Sequence, residues 1–164
     1  MKIEIIDQGC GSGTPETAFL YLTTYGTVTD NCWPYVSGDG HVPECMDHCV
    51  YTTTVEWKKY YTSSFWIVSG IEDIKNDVLT YGPLNTGMLT FPDFHAYKGG
   101  IYVVTDPQPQ AGHTVVIIGW GTENLNYWIC QNSWGTAWGE DGYFRIAYGE
   151  ALIDYLACSG APAV

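Results

Sequence analysis

Positive charge is what this chain of 164 residues most lacks. Its six basic side chains are Lys2, Lys58, Lys59, Lys75, Lys98 and Arg145, set against 18 carboxylates for a formal net charge of −12. Such a surface repels phosphate backbones and anionic lipid, which makes nucleic acid and membrane surfaces poor partners. The acidic excess reads as a solvated surface rather than a device for steering substrate. No apolar run approaches the ~18 residues that a membrane span requires. Repeats, low-complexity tracts and runs of like charge are missing as well. The opening Met1-Lys2-Ile3-Glu4-Ile5-Ile6-Asp7 lacks the unbroken apolar stretch of a secretory signal, because carboxylates interrupt it.

What is present points to a folded domain. A hydrophobic content of 46% with 15% aromatic residues is globular, and the length suits one domain with a sizeable core rather than two. Six cysteines, three of them between Cys32 and Cys49, indicate an oxidising compartment. An exported protein should carry a signal, so residues preceding Met1 are expected.

Thr14-Pro15-Glu16 opens a helix, with a threonine cap, proline at the first helical position and acid near the positive end. Ala18, Tyr21, Leu22 and Tyr25 share one face, and Gly26 ends the helix. Residues 31–64 are rich in turn formers, including Ser37-Gly38-Asp39-Gly40 and Pro43. A second helix is announced by the capping-box pattern Ser69-Gly70-Ile71-Glu72, carries the stripe Ile71, Ile74, Val78 and Leu79, and stops at Gly82-Pro83. Strands are expected over Leu84–Thr90, Gly100–Thr105, Thr114–Trp120, Tyr127–Asn132 and Gly142–Ala147. The fold class is therefore α+β, with helices first and an antiparallel β unit after them.

The chemistry is concentrated in that β unit. If the strands on either side of Gly121–Asn126 form a hairpin, His113 falls opposite residues 132–134. Side chains alternate along a strand, so Asn132 and Trp134 point the same way and can meet the imidazole. An imidazole acting as general base needs its second nitrogen held by an acceptor. The asparagine oxygen can hold it, and the indole can keep water off the bond.

His113, Asn132-Ser133-Trp134-Gly135 and Trp138-Gly139-Glu140-Asp141-Gly142-Tyr143 together resemble the second half of a papain-family cysteine protease. Gly9-Cys10-Gly11-Ser12-Gly13 with Pro15 resembles that family's glycine-rich substrate loop. Tyr81-Gly82-Pro83 and the run from Asp93 to Tyr102 follow in family order. Cys32-Trp33-Pro34-Tyr35 and Cys45-Met46-Asp47-His48-Cys49 look most like the cathepsin B branch. The resemblance implies a papain-like fold that is incomplete here, with part of the left helical half and the right antiparallel β-barrel half. In these terms residues 1–164 are a single peptidase domain lacking its N-terminal segment. Residues 1–30 hold a left-half helix and the substrate loop, 31–64 a cysteine-rich connector, and 65–164 most of the β-barrel half.

Carried over by position, the resemblance implies that His113 is the base, Asn132 its orienter and Trp134 the shield over that pair, with Trp138 lining the leaving-group side. Gly13 would bind the substrate backbone as an added strand, and Pro15 would lie on the pocket for the side chain two positions before the cut. A disulfide between Cys32 and Cys49 is implied, as are partners for Cys10 and Cys45 outside these residues. Cys130 reads as a buried thiol and Cys158 remains unassigned. A zinc site from Cys32, Cys45, His48 and Cys49 fits no common spacing, and no metal or cofactor is expected.

Cys10 echoes the family's nucleophile signature, but Gly13 stands where the reactive cysteine belongs. Cys10 also precedes His113 by 103 residues, against the roughly 130–150 typical of the family. The expectation is a cysteine-type peptidase acting on peptide or protein substrates, inactive as this chain alone, with the thiolate supplied by a preceding segment or another chain. The alternative is a pseudoprotease that lacks the nucleophile and binds peptides or serves as a subunit. The connector is short and His41 stands alone in it, which favours endopeptidase over carboxydipeptidase action. Family precedent implies a lysosomal, vacuolar or extracellular location.

Overall fold

The computed structural model describes residues 9–11, 13–50 and 55–163. The opening heptapeptide and Ser12 of the glycine-rich stretch lie outside the described residues. The chain divides into two compact units, Met1–Phe65 with Gly160–Val164, and Trp66–Ser159.

In the first unit, helix α1 (Pro15–Thr24) starts as its sequence predicts. Thr14 caps it in a reciprocal arrangement with Thr17, and proline occupies the first turn. Gly26 follows with φ 68°, and a Cβ there would meet the Tyr60 carbonyl and the Tyr61 ring, so only glycine fits the helix end. The stripe of α1 is not buried. Tyr21 and Tyr25 stack on each other at 5.2 Å and remain 41% and 38% exposed. Among the described residues of this unit only Gly26, Cys32 and Cys49 are buried. The two cysteines form a disulfide with Cα atoms 4.5 Å apart.

The strands form one sheet of mixed direction in the order β1-β7-β2-β4-β5-β6-β3. They are β1 (Thr62–Val68), β2 (Leu84–Thr90), β3 (Ile101–Tyr102), β4 (Ala111–Thr122), β5 (Asn126–Gln131), β6 (Tyr143–Ala147) and β7 (Ala157–Pro162). β1 and β7 were not anticipated. β7 reads Ala-Cys-Ser-Gly-Ala-Pro, without the β-branched and aromatic residues that announce a strand. The strand expected over Gly100–Thr105 is cut to two residues, and these pair parallel with β6. Beyond them, side chains take the donors of two residues: Val104 N–H donates to Glu150 Oε2, and Thr105 N–H and Oγ1–H donate to Asp93 Oδ2.

Helix α2 (Ile71–Tyr81) begins one residue later than the capping box requires. Gly70 is the cap, with φ 85° and no side-chain cap bond. Glu72, thereby at the second helical position, pairs with Lys75. Leu79, expected in the buried stripe, is 73% exposed, whereas Asp77 is buried. Helix geometry explains the exchange. With ~100° per residue, Asp77 lies about 60° from the fully buried Ile74 and Leu79 about 140°. Asp77 is received by Trp66, whose indole N–H donates to Oδ1 at 2.7 Å.

The core belongs to the second unit and is built from Ile74, Leu84, Phe94, Ile117, Trp128, Phe144, Ile146 and Ile153, each fully buried. Burial of side chains this large stabilises by roughly 1.5–3 kcal/mol apiece. Phe94, on the one-turn helix α3 (Pro92–His95), packs within 5.5 Å of the rings of Tyr102, Trp134, Trp138 and Phe144. No helix among the described residues is long and apolar enough to cross a membrane.

Candidate active site

His113 lies near the start of β4, half-buried and paired across the ladder with Met88 of β2. The hairpin from β4 to β5 turns at residues 123–125, inside the polar stretch where the turn is expected. Its register slips between Ile117 and Gly119. β5 ends at Gln131, so strand alternation does not carry Asn132 and Trp134. Asn132 is held instead by its backbone N–H, which donates to the Gly142 carbonyl at 2.9 Å.

From there its side-chain oxygen lies 2.8 Å from His113 Nε2. The same oxygen accepts the Ser133 N–H at 2.8 Å, and this second bond settles the amide's orientation. A flipped group would set its NH2 against that N–H. Oδ1 being an acceptor, Nε2 must carry the proton, and Nδ1 is left with a lone pair. Asn132 Nδ2 is buried without a hydrogen-bond partner among the described residues. The arrangement can take up a proton at Nδ1 and hold the resulting imidazolium through Nε2.

Trp134 lies 5.0 Å from the imidazole, ring centre to ring centre, with the planes inclined by 32°. Trp138 crosses Trp134 at 80° and 5.0 Å, and its indole N–H donates to the His95 carbonyl at 3.2 Å. The loop that carries them is fastened by short-range bonds, Gly142 N–H to the Trp138 carbonyl at 2.8 Å and Glu140 N–H to the Tyr143 carbonyl at 2.9 Å. Arg145 grips both oxygens of Glu140, also pairs with Glu123 at 2.8 Å, and lies over the Tyr127 ring. The guanidinium holds the Glu140 carboxyl below the usual range, more than offsetting burial. Glu140 Oε1 also accepts the Gly100 N–H at 3.0 Å.

The residues expected to form the site thus divide. His113, Asn132, Trp134 and Trp138 come together in the second unit. Gly13 and Pro15 belong to the first, where Gly13 is exposed just ahead of the α1 cap and Pro15 opens the helix half-buried. Cys10 and Cys45 are exposed and not in disulfides, and Cys130 is fully buried. Burial pushes the Cys130 thiol far up from its ordinary pKa, which is the wrong state for a nucleophile. Cys158 is buried on β7. The Cys32–Cys49 disulfide uses two of the four groups weighed as zinc ligands, and His48 meets Asp47 at 3.0 Å. One member of the cluster had not been singled out. His95 lies flat on the Trp134 indole, 4.8 Å away with the planes at 6°. Its place in the Asp93–Tyr102 run was legible, but its ring contact arises only from the packing of α3 against the loop.

The family model described as "Papain family cysteine protease" matches residues 3–160. A "Cathepsin B-like cysteine proteinase 4" of Caenorhabditis elegans is 32% identical, the match covering 95% of this chain and 56% of the relative. A "Cathepsin B-like protease 1" of Arabidopsis thaliana is 34% identical, covering 94% and 45%. Among solved structures, that of "proCathepsin B S9 from Trypanosoma congolense" superposes with a TM-score of 0.90 at 31% identity, covering 99% of this chain and 58% of that one. The chain spans about half the length of the curated relatives it matches.

Proposed function

The chain belongs to the papain family of cysteine proteases, and from that premise we propose that it is the histidine- and asparagine-bearing part of a peptidase whose thiolate comes from outside these 164 residues. Its 164 residues act as one papain-like domain short of an N-terminal segment. His113 Nδ1 accepts the proton of that thiol, and Asn132 fixes the imidazole through Nε2. Trp134 excludes water from the bond between them, and Trp138 walls the leaving-group side. Gly13 and Pro15 contact the peptide on the acyl side. The bond of 2.8 Å from His113 to Asn132 beneath the Trp134 indole carries this reading.

Attack on a peptide carbonyl needs a thiolate beside the imidazole and donors for the oxyanion. Four of the six cysteines are poor candidates. Cys130 is buried and hard to ionise, Cys32 and Cys49 are oxidised, and Cys10 sits in a loop with glycine at the reactive position. That only Gly26, Cys32 and Cys49 are buried among the described residues of the first unit supports a further packing partner as well. The substrates are peptides or proteins cut internally, and the disulfide fits a lysosomal, vacuolar or extracellular setting.

The test is labelling with an epoxide that alkylates papain-type thiols. The 164-residue chain is expected to stay unlabelled. The same chain expressed with its upstream coding sequence is expected to be labelled once, outside these residues, and to cleave peptides. Stoichiometric labelling of the isolated chain would overturn the assignment. Lack of labelling in the longer product as well would favour the pseudoprotease that only binds peptide.

A further inference from the structure

Resting on the reading of His113 and Asn132 as peptidase groups, we infer that His95 selects substrates bearing a carboxylate on the leaving-group side of the scissile bond. The observation is a second imidazole stacked on the indole that also contacts His113. His95 ends α3, its carbonyl is tied to the Trp138 indole, and its ring lies flat on Trp134. That indole also contacts His113, so the two imidazoles stand within about 10 Å of each other, center to center. An extended peptide advances about 3.3 Å per residue. With Trp138, tied to His95, walling the leaving-group side as proposed, the first or second leaving-side residue of a peptide held at His113 comes within reach of His95.

Position is matched by chemistry. His95 is exposed, and neither ring nitrogen has a hydrogen-bond partner among the described residues. The stack on Trp134 fixes the ring plane while its edge nitrogens stay available. A neutral imidazole offers one N–H and a protonated one two, both suited to a carboxylate. Of the lysines and arginine in this unit, Lys75 pairs with Glu72 and Arg145 with Glu140 and Glu123, while Lys98, three residues from His95, is exposed and makes no ion pair among the described residues. Against the acidic surface of the chain, His95 is thus a local donor at which an acidic leaving group can be held. The carboxylate can belong to a glutamate or aspartate side chain, or to the end of a short substrate.

Both sources are separable by titrating the 164-residue chain with four N-acetylated pentapeptides. They differ only in Glu or Gln at the fourth residue and in a free or amidated terminus. The imidazole nitrogens of His95 and His113 are followed by NMR. Both rings are expected to shift with saturation, and the carboxylate-bearing peptides to bind about tenfold more tightly. A preference that follows the glutamate identifies a side-chain site, and one that follows the free terminus a chain-end site. His95→Phe keeps a ring on Trp134 without N–H groups, and His95→Gln keeps a donor without the stack. The phenylalanine variant is expected to bind all four peptides alike. If it retains the preference, or if His113 shifts with equal affinity for all four in the unaltered chain, the role of His95 is refuted while the peptide site stands. If neither ring responds to any peptide, the site itself is refuted along with it.

Discussion

Replacing Asn132 by alanine separates what the amide does for chemistry from what it does for stability. Two hydrogen bonds are lost, from His113 Nε2–H and from Ser133 N–H, each 2.8 Å long. Net worth is about 0.5–1.5 kcal/mol apiece, and the exposed Ser133 N–H can turn to water. On the other side of the balance, the substitution removes the buried Nδ2 that has no partner among the described residues. An orphaned buried donor costs about 1–3 kcal/mol. The two sides nearly cancel, so Asn132→Ala is expected to leave stability within about 1 kcal/mol of the unaltered chain. The tautomer is expected to change far more. Losing a bond of about 1 kcal/mol relaxes the preference for the Nε2–H form by roughly fivefold. Urea unfolding followed through signals of the second unit gives the first quantity, and the nitrogen shifts of His113 give the second. A loss above about 3 kcal/mol, or an imidazole still held in the Nε2–H form, would refute the accounting.

Three further outcomes are expected. The Cys32–Cys49 bridge closes a loop of sequence separation 17, so the double substitution to serine should weaken the first unit by about 3 kcal/mol, read by urea unfolding of its tyrosine signals. Asp93 accepts from Tyr102, Thr105 N–H and Thr105 Oγ1. Burial opposes ionisation, yet these bonds hold the carboxyl down at about 2. A depressed carboxyl stabilises above its unfolded pKa and loses that contribution as pH falls through the folded one. Asp93→Asn should therefore cost on the order of 1 kcal/mol at neutral pH after solvent screening, and the cost should vanish between about pH 4 and pH 2. A penalty independent of pH would argue against it. Gly139 sits at φ 62°, where a Cβ would come 2.5 Å from the Tyr143 carbonyl. Gly139→Ala should destabilise the second unit by about 2 kcal/mol or more, and a neutral result in urea would contradict that geometry.

Legibility followed the range of the forces involved. The start of α1 was readable because a cap and a proline act over four residues. The turn of the β4–β5 hairpin was readable because its polar stretch interrupts two apolar runs. The cap of α2 and the burial of Leu79 were misread, since one residue's shift in the helix start and a distant indole decided them. β7 escaped notice for want of any local strand signal, and β3 was overestimated because acceptors on Asp93 and Glu150 compete for its donors.

Family membership, the neighbourhood of His113 and Asn132, and the Cys32–Cys49 pair were therefore legible from residue types in order along the chain. Tertiary structure decided the rest: that Oδ1 rather than Nδ2 faces the imidazole, that Asp77 displaces Leu79 from the core, and that a second histidine lies on the same indole as the first. The physical reason is common to all three. Side-chain orientation is set by partners far away in sequence, and no local pattern records which of two hydrogen-bonding or packing choices those partners will complete.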